Sequence, residues 1–102
     1  MPTVIVRYET KPERADDNQK LVERVFEALA HQAPAGLRYA TFRLGDGVSF
    51  VHVASVETAD GSNPLAQLSA FADFQAEIED RCVVQPAVRE ATLVGSYRFL
   101  AD

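Results

Sequence analysis

Residues Thr3 to Glu9 read TVIVRYE, and their character alternates. Val4, Val6 and Tyr8 fall on one side; Thr3, Ile5, Arg7 and Glu9 fall on the other. A period of two with β-branched residues predicts a strand. The period then changes. Leu21, Val22, Val25, Phe26 and Leu29 recur at helical spacing, while Lys20, Glu23, Arg24 and Glu27 are mostly solvated, which predicts an amphipathic helix. Two start signals compete. Thr10 with Glu13 has the form of a capping box with Pro12 in the first turn, and Asp16 serves equally well. Pro34 and Gly36 stop the helix.

LRYATFRL, Leu37 to Leu44, is a second strand, and Gly45-Asp46-Gly47 is a tight hairpin signal into a third strand, Val48 to Val56. The segment Thr58 to Pro64 is a loop. Asn63 is placed to cap a second helix, with Pro64 at its first position. Leu65, Leu68, Phe71, Phe74 and Ile78 form its apolar stripe, and Ser69 is placed to cap a restart, which gives two short helices with a bend. Pro86 bars helix continuation, so RCVVQPAV is read as a link to a last strand, ATLVGSYRF, Ala91 to Phe99. Leu93, Gly95, Tyr97 and Phe99 share one face of that strand.

The order strand, helix, strand, strand, helix, strand predicts an α+β, ferredoxin-like βαββαβ protomer, a four-stranded antiparallel sheet with helices on one face. A helix of ~20 residues spans ~30 Å and a strand of eight spans ~26 Å, so the layers match in length. Two helices cover one face only. The third strand is apolar on both, with Val51 and Val53 on one side and Val48, Phe50, His52, Ala54 and Val56 on the other. Such a strand is expected to be covered twice. A second copy of the chain is the simplest cover, and a twofold homodimer is the expectation.

Composition narrows the partners. The chain has 102 residues, which suits one domain spanning 1–102. Its net charge is -5 and no Lys/Arg cluster is present, so no nucleic-acid partner is expected. No apolar run reaches membrane-spanning length and no signal-peptide core is seen, so no membrane partner and a cytoplasmic location are expected. Cys82 is the single cysteine, so no intrachain disulfide forms. HExxH, CxxC and glycine-rich phosphate loops are absent, and no bound metal is expected.

The segments GLRYATFRL, VSFVHVASVE, NPLAQLSAFADFQ and LVGSYRF together resemble the antibiotic biosynthesis monooxygenase-like (ABM-like) family of dimeric α+β barrels, over nearly the whole chain. The resemblance implies a barrel made by two packed sheets and a ligand cavity between helices and sheet. It also implies cofactor-independent oxygenation of a phenol- or quinol-type aromatic, with no cofactor bound. The haem-degrading branch relies on an Asn, Trp and His set. This chain has no tryptophan, and Asn18 and Asn63 lie off the first strand, so no catalytic set carries over.

Among individual residues, His52 stands alone in a run of valines. It is either the base that deprotonates a phenol or a hydrogen-bonded strand residue. The hairpin register decides its neighbours. A two-residue turn at Asp46-Gly47 sets His52 opposite Thr41 with Tyr39 and Arg43 on its face; a three-residue loop sets it opposite Ala40. Tyr8 and Tyr97 lie on the more apolar faces of their strands and are candidates to orient a phenolic ligand, with Phe71 and Phe74 roofing the pocket. All four also fit plain core packing. Arg43 and Arg98 either bind a ligand carboxylate or pair across strands or subunits, with pairing the expectation, and His31 sits favourably in a helix end. Two functions follow: a cofactor-independent monooxygenase, or a non-catalytic homodimeric ligand-binding or dimerisation module.

Overall fold

The N-terminal alternation becomes β1, Thr3–Thr10, in the computed structural model, which describes residues 3–100. A short 3-10 turn, Pro12–Arg14, leads into α1, Ala15–Gln32. The capping box does not form. Thr10 instead ends β1, with its hydroxyl donating to the Val48 carbonyl at 3.2 Å. The buried face of α1 is Ala15, Asn18, Val22 and Val25, three and four residues apart. Ala33, in the left-handed region at φ 45°, closes the helix by donating its N–H to the Leu29 carbonyl.

Strands β2, Leu37–Arg43, and β3, Ser49–Val56, form the expected hairpin. Thr41 lies opposite His52 and Arg43 opposite Phe50, so the tight-turn register is the one adopted. Asp46 fixes that turn. Its carboxylate accepts from the Ser49 hydroxyl and from the backbone N–H groups of Ser49 and Val48, and these bonds hold its pKa at about 2.

The second crossover is broken into pieces. Asn63 accepts from the Leu65 N–H, but the turn it opens, Pro64–Gln67, is 3-10. Then follow α2, Ser69–Gln75, and α3, Ile78–Arg81. The predicted split into short helices is present, with Leu68 rather than Ser69 at the cap position and no side-chain cap.

The last strand lies earlier than predicted. β4 is Cys82–Ala91, and residues 92–100 join no ladder. Pro86 misled the reading, because proline is excluded from central strands but tolerated at an edge or bulge. β4 is an edge strand of the order β2-β3-β1-β4, and Pro86 sits where its register on β1 shifts between Arg7 and Glu9.

All pairings are antiparallel, and the helices cover one face, giving the ferredoxin-like α+β fold. The core between the layers is Tyr8, Ala15, Val22, Val25, Phe50, Leu65, Leu68, Phe74 and Cys82. The opposite face carries Ile5, Phe42, Val51 and Val53, all half-buried. Among the described residues no helix is long and apolar enough to cross a membrane.

Candidate functional site

The site lies between sheet and helices. Alternation turns Tyr8 of β1, Phe50 and His52 of β3, and Tyr39 and Thr41 of β2 toward the helices. Asn18 comes down from α1, Phe74 from α2 and Arg81 from the end of α3. These groups form a continuous buried chain. Arg81 Nε donates to Asn18 Oδ1 at 3.1 Å, and Asn18 Nδ2 donates to the Tyr8 hydroxyl at 2.8 Å. The Tyr8 hydroxyl is 2.8 Å from His52 Nε2. On the other side of the ring, His52 Nδ1 is 2.6 Å from the Tyr39 hydroxyl and 3.0 Å from Thr41 Oγ1. Among the described residues no buried side-chain polar atom lacks a partner.

His52 is 5% exposed, and its ring lies 5.3 Å from those of Tyr8 and Phe74. Burial pushes its pKa down from 6.5 to about 4, so the imidazole is neutral at physiological pH. Burial also holds the Tyr8 hydroxyl well above the usual phenol range, against the opposing bond from Asn18. It raises Tyr39 as well, so both phenols stay protonated and able to donate. Arg81 is 1% exposed, yet its three partners are uncharged oxygens: Asn18 Oδ1 and the carbonyls of Phe74 and Ala76. Those two carbonyls close the C-terminal end of α2, where the helix leaves acceptors free and partial negative charge. The guanidinium also lies 5.4 Å over the Phe74 ring.

A cavity of about 330 Å³ opens beside this chain, lined by Phe26, Leu29, Ala30, Pro34, Leu37 and Tyr39 among others. Phe26 and Tyr39 stack at 4.9 Å on its wall. Tyr39 thus belongs to both cavity and network. A larger depression of about 600 Å³ lies elsewhere, bounded by Glu57, Glu90 and Thr92, and shares no residue with the network.

The sequence candidates separate. His52, Tyr8 and Phe74 are brought together, and Phe71 packs half-buried against Phe74 at 6.0 Å. Tyr97 is not with them. It is 82% exposed on the segment after β4, because the strand meant to turn it inward is not there. Arg43 does pair with a carboxylate, but with Asp16 of α1 at 3.0 Å rather than across the strands, while Arg98 of the C-terminal segment lies over the Tyr97 ring. Cys82 is buried in the core, and burial pushes its thiol up. Asn18 and Arg81 were missed. Their signal was positional: Asn18 leads the stripe Leu21, Val22, Val25, and Arg81 extends the stripe Phe74, Ile78. A polar residue at a core-facing helical position needs a buried partner.

No protein-family model and no curated protein matches the sequence. Solved structures do match. A crystal structure named antibiotic biosynthesis monooxygenase superposes with a TM-score of 0.73 at 21% identity, covering 93% of this chain and 100% of that one. Rv0793 from Mycobacterium tuberculosis gives a TM-score of 0.73 at 16% identity, covering 93% and 96%. A candidate antibiotic biosynthesis monooxygenase from Nitrosomonas europaea gives 0.73 at 12% identity, covering 91% and 89%. Strand order, crossover placement and these superpositions agree: the chain has the ABM-like fold.

Proposed function

We propose that the protein is a homodimer that binds a small phenol- or quinol-type aromatic in the Tyr39 cavity, and that cofactor-independent monooxygenation is the chemistry of that site. One observation carries the reading. Tyr39 lines a cavity of ligand size while its hydroxyl sits 2.6 Å from a buried, neutral imidazole. A flat ligand beside the Phe26–Tyr39 stack gains aromatic contact, and its oxygen has Tyr39 as a partner. The similar structures named as monooxygenases support the activity by analogy of fold. The cytoplasmic location belongs to the same reading.

A second reading has its own observation. Both ring nitrogens of His52 are engaged, and its pKa of about 4 makes it a weak base for a phenol near 10. Direct proton abstraction by His52 therefore does not fit, and any role it has runs through Tyr39. If that link is structural only, the protein binds ligand without turning it over. Titration with a naphthol and a naphthoquinol, read by tyrosine and ligand fluorescence and by an oxygen electrode, separates these. The enzyme reading expects saturable binding and oxygen uptake that Tyr39→Phe lowers at least tenfold. Binding without uptake leaves the module. Absence of binding removes both.

A further inference from the structure

The buried chain has a direction, and Arg81 sets it. An arginine has only donors. Its Nε faces Asn18 Oδ1, so the amide oxygen of Asn18 is turned toward Arg81 and its NH₂ toward Tyr8. The Tyr8 oxygen therefore accepts, and its own hydrogen needs an acceptor. His52 Nε2, at 2.8 Å, is the one the structure provides. An imidazole that accepts at Nε2 and is neutral carries its proton on Nδ1. That proton faces the Tyr39 and Thr41 oxygens. The opposite tautomer fails at Tyr8. It leaves the buried Tyr8 hydrogen without an acceptor.

We infer that Arg81 and Asn18 are positioning residues that hold His52 as the Nδ1–H tautomer, through a donor chain running Arg81, Asn18, Tyr8, His52, Tyr39. The direction is locked because reversing it would require the guanidinium to accept. Held by carbonyls of Phe74 and Ala76, Arg81 is not free to turn away. The consequence reaches the cavity wall. Tyr39 accepts from His52, so its remaining hydrogen is available to donate, which suits a carbonyl or phenolate oxygen on a ligand. The inference goes beyond the ligand reading and does not depend on it.

The test needs no ligand. In ¹⁵N-histidine-labelled protein at pH 7, long-range proton–nitrogen correlation distinguishes the tautomers of His52 from those of exposed His31. The expected spectrum of the unmodified protein is dominated by Nδ1–H; a dominant Nε2–H form or an even mixture overturns the inference. Asn18→Asp keeps the shape but offers only acceptors, so Tyr8 donates to it and then accepts from His52. The tautomer is expected to reverse to Nε2–H. Arg81→Lys keeps a cationic donor and is expected to keep Nδ1–H. Retention of Nδ1–H in a folded Asn18→Asp protein overturns the inference, because a merely structural asparagine would leave the tautomer unmoved. Should that variant fail to fold, the unmodified protein and Arg81→Lys still decide. Absence of cavity binding in a protein that shows these tautomers would refute the ligand reading alone.

Discussion

At the scale of single residues, His52 makes stability depend on pH in a definite sense. Folded, it protonates near 4; unfolded, near 6.5. Between those values the unfolded chain holds one more proton than the folded chain. Stability is therefore full above 6.5 and falls as pH falls, by about 1.4 kcal/mol per unit. The loss stops growing below about 4, where the folded protein takes up the proton too. The groups facing the ring, Tyr8, Tyr39 and Thr41, stay neutral throughout, so burial alone opposes protonation. Urea unfolding at pH 7.5 and pH 5 should show the unmodified protein losing about 2 kcal/mol more than His52→Gln, which removes the titration. Equal losses would mean that His52 is not held neutral. The sequence exposed this residue plainly, as one polar group among valines. Its partners were illegible, because Asn18 and Arg81 lie in other elements and meet it only through Tyr8. Tyr39 depended on a hairpin register that composition leaves open.

Among the elements, the helix-to-strand joint at Gly36 is closely packed. Gly36 has φ +81°, in the left-handed region, and a Cβ there would meet Thr58 Cγ2 at 2.7 Å and Thr58 backbone at 3.1 Å. The same approach is what lets the Glu57 N–H donate to the Gly36 carbonyl and tie the start of β2 to the end of β3. Gly36→Ala therefore combines a strained backbone with a clash and should cost roughly 2 kcal/mol or more, read as a lowered urea midpoint at unchanged slope. Gly47→Ala, also at positive φ but with open space around its Cβ, should cost less. A larger cost at Gly47 would contradict the contact argument. Element by element, periodicity revealed β1 and α1, and the hairpin signal at Gly45-Asp46-Gly47 between two apolar runs revealed β2 and β3. Periodicity failed at β4. CVVQPAVREA has Val83, Val84 and Val88 largely exposed and a proline at a bulge, so burial imposes no alternation on it. ATLVGSYRF does alternate, but beyond Ala91 none of it pairs with another strand among the described residues.

For the whole molecule, the distribution of exposed apolar surface argues for a second copy. Every large hydrophobic residue exposed among the described residues lies between Val83 and Leu100, with Val94 at 98%. Phe99 comes within 6.2 Å of Phe42, which joins this segment to the open sheet face of Ile5, Val51 and Val53. Exposed apolar side chains concentrated in one segment and reaching the open sheet face favour association. A twofold contact is self-complementary and needs no second kind of surface. Val53 is the place to test it. It lies between Ile5 and Ala40 across the strands, on the face that the helices do not touch. Val53→Lys should leave the helix-side core, and hence the circular dichroism and the Tyr8–His52 contact, unchanged. An unpaired charge buried in the contact should weaken dimerisation roughly a hundredfold or more. Sedimentation equilibrium at micromolar concentration should give twice the chain mass for the unmodified protein and the chain mass for the variant. Removal of residues 92–100 should weaken the dimer as well, since those side chains continue the same surface. An unmodified protein that sediments as a monomer at these concentrations, with the open face simply wet, would remove the homodimer and leave the Tyr39 cavity as the site of a single chain.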